Sequence, residues 1–117
     1  MNHKTSFLPY GRHQIDDDDI EAVIDVLKSD FLTTGPVIHK FENALSEKTS
    51  AQHAVACSSA TAALHLAALA LGLGPGDTVI VPSITFLATA NAARYVGADV
   101  IFADVNPDTG LMGPDDL

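Results

Sequence analysis

The stretch Val55-Ala56-Cys57-Ser58-Ser59-Ala60-Thr61-Ala62-Ala63-Leu64-His65-Leu66 does most to limit what this chain can fold into. A short apolar segment, Ala54 to Cys57, predicts a buried strand; it breaks at small hydroxyl residues and gives way to a helix, nearly all Ala and Leu, from Ser59 to about Leu71. The same alternation continues. Gly72, Gly74, Pro75 and Gly76 predict a turn, Thr78 to Val81 a second strand, Thr85 to Tyr95 a second helix and Asp99 to Ala103 a third strand. Strands separated by helices of this length place the chain in the α/β class, as a sheet with helical crossovers. Gly113-Pro114-Asp115-Asp116-Leu117 has the Pro and acids of a helix's first turn, so the pattern reads as the front part of a longer protein.

Ahead of His53 the pattern is different. Met1 to His13 predicts an extended arm, because Pro9 and Gly11 interrupt a helix. Asp16-Asp17-Asp18-Asp19 opens a helix whose Ile20, Val23, Ile24 and Leu27 fall on one face; acids suit the positive end of the helix dipole. Phe31-Leu32-Thr33-Thr34-Gly35-Pro36 predicts a loop, in which Gly35 permits a positive φ and Pro36 starts a second helix running from Val37 to Thr49. The expected organisation is one incomplete domain, with an arm and helices over 1–52 and the start of an α/β sheet over 53–117.

Composition excludes several function classes. Six basic against fifteen acidic residues give a net charge of -9, which disfavours nucleic acid as a partner. No apolar run is long enough to span a bilayer, and the N-terminus has no signal-peptide pattern. Cys57 is the only cysteine, so a disulfide framework is excluded and a cytoplasmic location is expected. None of the histidines, His3, His13, His39, His53 and His65, forms the i, i+4 pair of a helical zinc site, and no metal is expected. Neither dinucleotide nor P-loop fingerprints occur.

Chemistry is concentrated at the break after Cys57. A helix start leaves its first N–H groups unpaired and carries partial positive charge, which suits a phosphate. Ser59 and Thr61 add hydroxyls, and Ala60 leaves the backbone open to approach. The plain alternative is a Ser N-cap on a core helix. Phe86, just after the second strand, lies on the sheet edge where α/β ligands bind, although a Phe in such a sequence is more often core. His65 reads as a core or interface histidine, Cys57 as inert, and Thr33-Thr34-Gly35, taken alone, as a turn.

These residues, together with Gly74-Pro75-Gly76-Asp77, Pro82 to Phe86 and Asp104-Val105-Asn106-Pro107-Asp108-Thr109, resemble the N-terminal part of the DegT/DnrJ group, from about Leu8 to the end. These are fold type I, pyridoxal-phosphate-dependent aminotransferases of nucleotide sugars. The likeness is greatest to those that aminate a 4-keto sugar for cell-surface polysaccharide or lipopolysaccharide. The resemblance implies that Ser59, Ala60 and Thr61 hold the phosphate of pyridoxal 5'-phosphate and that Phe86 stacks on its ring. It further implies that Thr33, Thr34 and Gly35 line the sugar-nucleotide side, with Asp104 structural. The implied partners are a nucleotide sugar, an amino donor such as glutamate and a second copy of the chain, with Leu8 to Arg12 in the homodimer contact.

One departure bears on mechanism. The family needs a Schiff-base lysine, and this chain's lysines, Lys4, Lys28, Lys40 and Lys48, all precede the predicted sheet. The resemblance places that lysine beyond Leu117, so no catalytic residue is expected among these 117 and the chain alone should be inactive. The alternative is a truncated remnant or scaffold subunit without activity.

Overall fold

The computed structural model describes residues 11–117; Met1 to Tyr10, and with them Lys4, Leu8 and most of the expected arm, lie outside the described residues. The chain divides into two compact units, Met1–Ala56 and Cys57–Leu117.

In the first unit, α1 spans Asp17–Lys28 and α2 spans Pro36–Thr49. The Asp run starts α1 by a reciprocal cap: the Asp19 amide donates to Asp16 Oδ1 at 3.1 Å, and the Asp16 amide to Asp19 Oδ2 at 3.2 Å. Each bond satisfies a donor at the helix start, with the acids at the favourable dipole end. Pro36 occupies the first turn of α2, where its missing N–H costs nothing. The stripe Ile20, Val23, Ile24 and Leu27 forms one face of α1 as its spacing predicts, and it is exposed among the described residues.

The second unit is the α/β part. It comprises α3 (Ala60–Ala70), β1 (Thr78–Pro82), α4 (Leu87–Tyr95), β2 (Asp99–Ala103) and a short 3-10 turn, Pro114–Asp116. β1 and β2 pair in parallel, from Thr78 opposite Asp99 to Pro82 opposite Ala103, and α4 is the crossover between them. A parallel pair cannot be joined by a tight hairpin, which is why a helix intervenes. Among the described residues every buried hydrophobic side chain except Val81 is an alanine: Ala68, Ala88, Ala90, Ala92, Ala93, Ala98 and Ala103. Alanine lets helix and strand backbones approach closely, and α3 and α4 pack together on that basis.

α4 ends in a Schellman turn, with the Ala98 amide donating to Ala93 O and the Gly97 amide to Arg94 O, both at 3.1 Å. Gly97 takes φ +86°, and a Cβ there would stand 3.1 Å from Pro75 Cγ. Gly97→Ala should therefore destabilise the protein by about 1–2 kcal/mol, the left-handed penalty of an L-residue, read as a lower denaturation midpoint with unchanged m. Arg94 braces the turn, donating to Ala98 O at 3.1 Å and to Asp99 Oδ1 at 2.9 Å.

The helices, β1 and β2 lie where the sequence places them to within a residue or two. The strand expected over Ala54 to Cys57 does not form. A strand exists only by pairing, and among the described residues no backbone lies alongside this segment to accept or donate ladder bonds. The division between the two units falls inside it. Pro114 to Asp116 makes a 3-10 turn in place of the expected first turn of an α-helix. No helix among the described residues is long and apolar enough to cross a membrane.

Candidate functional site

Ser59 is the N-cap of α3, with extended backbone, and its Oγ accepts the Ala62 amide at 3.2 Å. That contact is the plain capping role. It uses one lone pair and leaves the hydroxyl proton free to donate. The Ala63 amide begins the helical ladder by donating to Ser59 O at 3.0 Å. Among the described residues, nothing accepts from the amides of Ala60 and Thr61. Two backbone donors are thus presented at the positive end of a helix, with the Ser59 hydroxyl exposed beside them and Thr61 half-buried. Ala60 is exposed and adds only a methyl group. The donor set matches a phosphate, whose oxygens accept hydrogen bonds from such amides and hydroxyls.

Phe86 is the N-cap residue of α4, reached through Ser83 to Thr85 from the carboxyl end of β1. Its ring is 75 % exposed, so among the described residues it has no core role. An exposed ring beyond the carboxyl end of a parallel strand stands where ligands of α/β sheets bind. Thr85 and Thr89 share a hydroxyl–hydroxyl bond of 2.9 Å that ties this loop to the helix.

Thr33, Thr34 and Gly35 belong to the first unit, in the connection between α1 and α2. Here the sequence-based expectation is corrected. The positive φ falls on Thr34, at 52°, whereas Gly35 has φ -82°. Gly35 is required for space instead: a Cβ would lie 2.9 Å from Phe31 Cβ and 3.2 Å from Phe31 O. A β-branched residue in the left-handed region costs on the order of 1–3 kcal/mol. Thr34 Oγ1 donates to Thr33 O at 2.7 Å, a local bond that offsets part of that cost.

The other residues singled out in the sequence have simple settings. His65 is half-buried and its ring meets Tyr95 with centroids 5.3 Å apart, a packing role. Cys57 is exposed and its Sγ lies 3.3 Å from Ser59 O. Asp104 Oδ1 accepts the Val105 amide at 2.8 Å, as a structural acid would. Asn106 Oδ1 accepts from the Asp108 amide at 2.9 Å and the Thr109 amide at 3.2 Å, which folds the Asn106 to Thr109 stretch into an Asx turn.

Glu42 was not singled out in the sequence. Its side chain, on α2, is only 20 % exposed; Oε2 lies 3.3 Å from His39 Nδ1, and Oε1 accepts the Ala56 amide at 2.9 Å. Nothing local signals it, because the partner is far along the chain.

A sequence model of the DegT/DnrJ/EryC1/StrS aminotransferase family matches residues 13–117. The chain is 51 % identical over 102 residues to the UDP-4-amino-4-deoxy-L-arabinose–oxoglutarate aminotransferase of Shewanella sediminis, covering 87 % of this chain and 26 % of that protein. Among solved structures, Streptococcus pneumoniae Spr1654, described as a sugar aminotransferase in its PMP form, matches with TM-score 0.84 and 38 % identity over 93 % of this chain and 28 % of that one. NtdA of Bacillus subtilis, solved with bound PMP cofactor, matches with TM-score 0.79 and 38 % identity over 88 % of this chain and 25 % of that one. The chain spans about a quarter of the length of each of these relatives.

Proposed function

The chain belongs to the DegT/DnrJ/EryC1/StrS aminotransferase family, and from that premise we propose that the full-length protein is a pyridoxal-phosphate-dependent transaminase of a 4-keto nucleotide sugar, with glutamate as the amino donor. The observation that carries the reading is the start of α3, where the amides of Ala60 and Thr61 have no acceptor among the described residues and the exposed Ser59 caps the helix beside them. The 51 % identity to an aminotransferase named for an aminated UDP-arabinose supports a nucleotide-sugar substrate.

When bound, the cofactor supplies an electron sink for moving an amino group between donor and ketone. This chain's residues hold and orient. The amides of Ala60 and Thr61 and the hydroxyls of Ser59 and Thr61 grip the phosphate, and the Phe86 ring covers one face of the pyridine. The loop Thr33-Thr34-Gly35 lines the sugar-nucleotide side, and the strained Thr34 backbone supports that assignment, since such strain clusters at binding sites. In this reading residues 53–117 open the large domain of a fold type I enzyme. The Schiff-base lysine comes from beyond residue 117, so these residues alone are inactive. The protein works in the cytoplasm as a homodimer in amino-sugar synthesis for surface polysaccharide.

Incubating the full-length protein with glutamate, pyridoxal phosphate and a 4-keto UDP-sugar should yield 2-oxoglutarate and amino sugar in equal amounts. Absence of both products across a panel of keto nucleotide sugars overturns the reading and leaves the inactive scaffold. Phe86→Ala should weaken cofactor binding roughly two- to tenfold, the scale of a lost aromatic contact, in a titration followed by absorbance. Unchanged binding removes Phe86 from the site.

A further inference from the structure

We propose that Thr89, paired with Thr85, is a positioning residue for Phe86, fixing the bearing at which its ring meets the pyridine of the cofactor. The inference rests on the reading of Phe86 as the ring that covers one face of pyridoxal phosphate. Phe86 stands at the N-cap of α4, with extended backbone at φ -74° and ψ 143°. Ser, Thr, Asp and Asn are favoured there, because their side-chain oxygen accepts an amide of the first turn and holds the cap residue against the helix. A phenylalanine ring has no such acceptor. A cap residue that turns its side chain to a ligand needs its backbone held by another group.

Thr89 holds it from both sides. Its amide donates to Phe86 O at 3.0 Å, and its hydroxyl lies 2.9 Å from the hydroxyl of Thr85, the residue just before the ring. One residue of α4 thus engages the carbonyl of Phe86 and the side chain of its predecessor. Between those two points lie the two backbone torsions that aim the Cα–Cβ bond of Phe86. Thr89 is half-buried on its helix and β-branched, so its χ1 has few choices, and the hydroxyl pair selects among them. A brace of the helix start alone would stabilise the fold without regard to the ring, and the two roles differ in what they do to the cofactor.

The test is a double-mutant cycle in the full-length protein, titrated with pyridoxal phosphate and followed by absorbance. Thr89→Val removes the hydroxyl but keeps shape and β-branching, and should lower affinity roughly two- to fivefold, within the loss expected from removing the whole ring. In the Phe86→Ala background the same substitution should change affinity by less than about 1.5-fold, because the group it acts through is gone. Thr89→Ser, which keeps the hydroxyl, should restore binding to within about 1.5-fold of the parent. Circular dichroism of the bound cofactor reports the ring's bearing and not the stability of the fold. Per bound cofactor, Thr89→Val and Phe86→Ala should shift it in the same direction, and a spectrum unchanged by Thr89→Val overturns the proposal.

Equal losses from Thr89→Val with and without the ring also overturn it and leave a brace of the helix start. If Phe86→Ala weakens binding and Thr89→Val does not, Phe86 keeps its place in the site and the role of Thr89 falls. If Phe86→Ala changes nothing, the ring assignment fails and the role of Thr89 with it. Should Thr89→Val not fold, Thr85→Val takes its place in the cycle, since Thr85 is exposed and carries the other hydroxyl of the pair. A loss that vanishes in the Phe86→Ala background supports the proposal, and no loss, or one that persists there, overturns it.

Discussion

Thr61→Val in the full-length protein should cost roughly ten- to a hundredfold in affinity for pyridoxal phosphate. Valine keeps the shape and β-branching of threonine, so α3 should start at the same place and Ser59 should still cap it through the Ala62 amide. Only a hydroxyl donor is lost. A hydrogen bond to a charged group contributes about 1.5–3 kcal/mol, which converts to that range of affinity. The amides of Ala60 and Thr61 persist in the variant, so binding is weakened and not abolished. Equilibrium titration by absorbance or fluorescence measures it, and a variant that binds as the parent does would reduce the start of α3 to an ordinary capped helix.

Ala93→Leu should have the largest effect on stability. Ala93 is 2 % exposed on α4, in an interior where alanine predominates and α4 contacts α3, β1 and β2. A leucine adds three heavy atoms at a position that is already almost fully covered. Overpacking of this kind costs about 1–3 kcal/mol. Chemical denaturation should show a lower midpoint with the same m-value, and an unchanged midpoint would mean that the two helices are not in tight contact.

Much of the architecture was legible because it is punctuated locally. The Asp16 and Asp19 pair, Pro36 and Ser59 each mark a helix start through a bond or a torsion that depends on near neighbours only. The alternation of apolar segments with glycine turns was sufficient for β1, α4 and β2. The segment Ala54 to Cys57 shows where that reasoning stops. Its apolar residues satisfy a strand pattern, but pairing is a property of what lies beside it, which no local pattern specifies. The TTG loop shows a second limit. Glycine was expected to carry the unusual torsion and Thr34 carries it, while the closeness of Phe31 decides Gly35. For the candidate site, the small-residue turn was singled out from its chemistry and Phe86 from its place after β1, and their roles remain the proposal made above. Glu42 was not singled out, because its acceptor role joins residues 14 apart that share no periodicity.

The paired strands bear on how this polypeptide survives its own synthesis. β1 and β2 bond to each other along one side only, so among the described residues each keeps an outer row of unsatisfied amides and carbonyls. Ile80 and Ile101, opposite one another in register, are also exposed. An apolar two-stranded ribbon with open margins is a template for adding a third strand from any source, including a neighbouring nascent chain. Parallel pairing also forms late, since a whole helix must close before the strands meet. Between emergence from the ribosome and the covering of those margins, the ribbon is a site for chaperone capture or for misassembly between copies, and slowing synthesis just after residue 103 would lengthen that exposure.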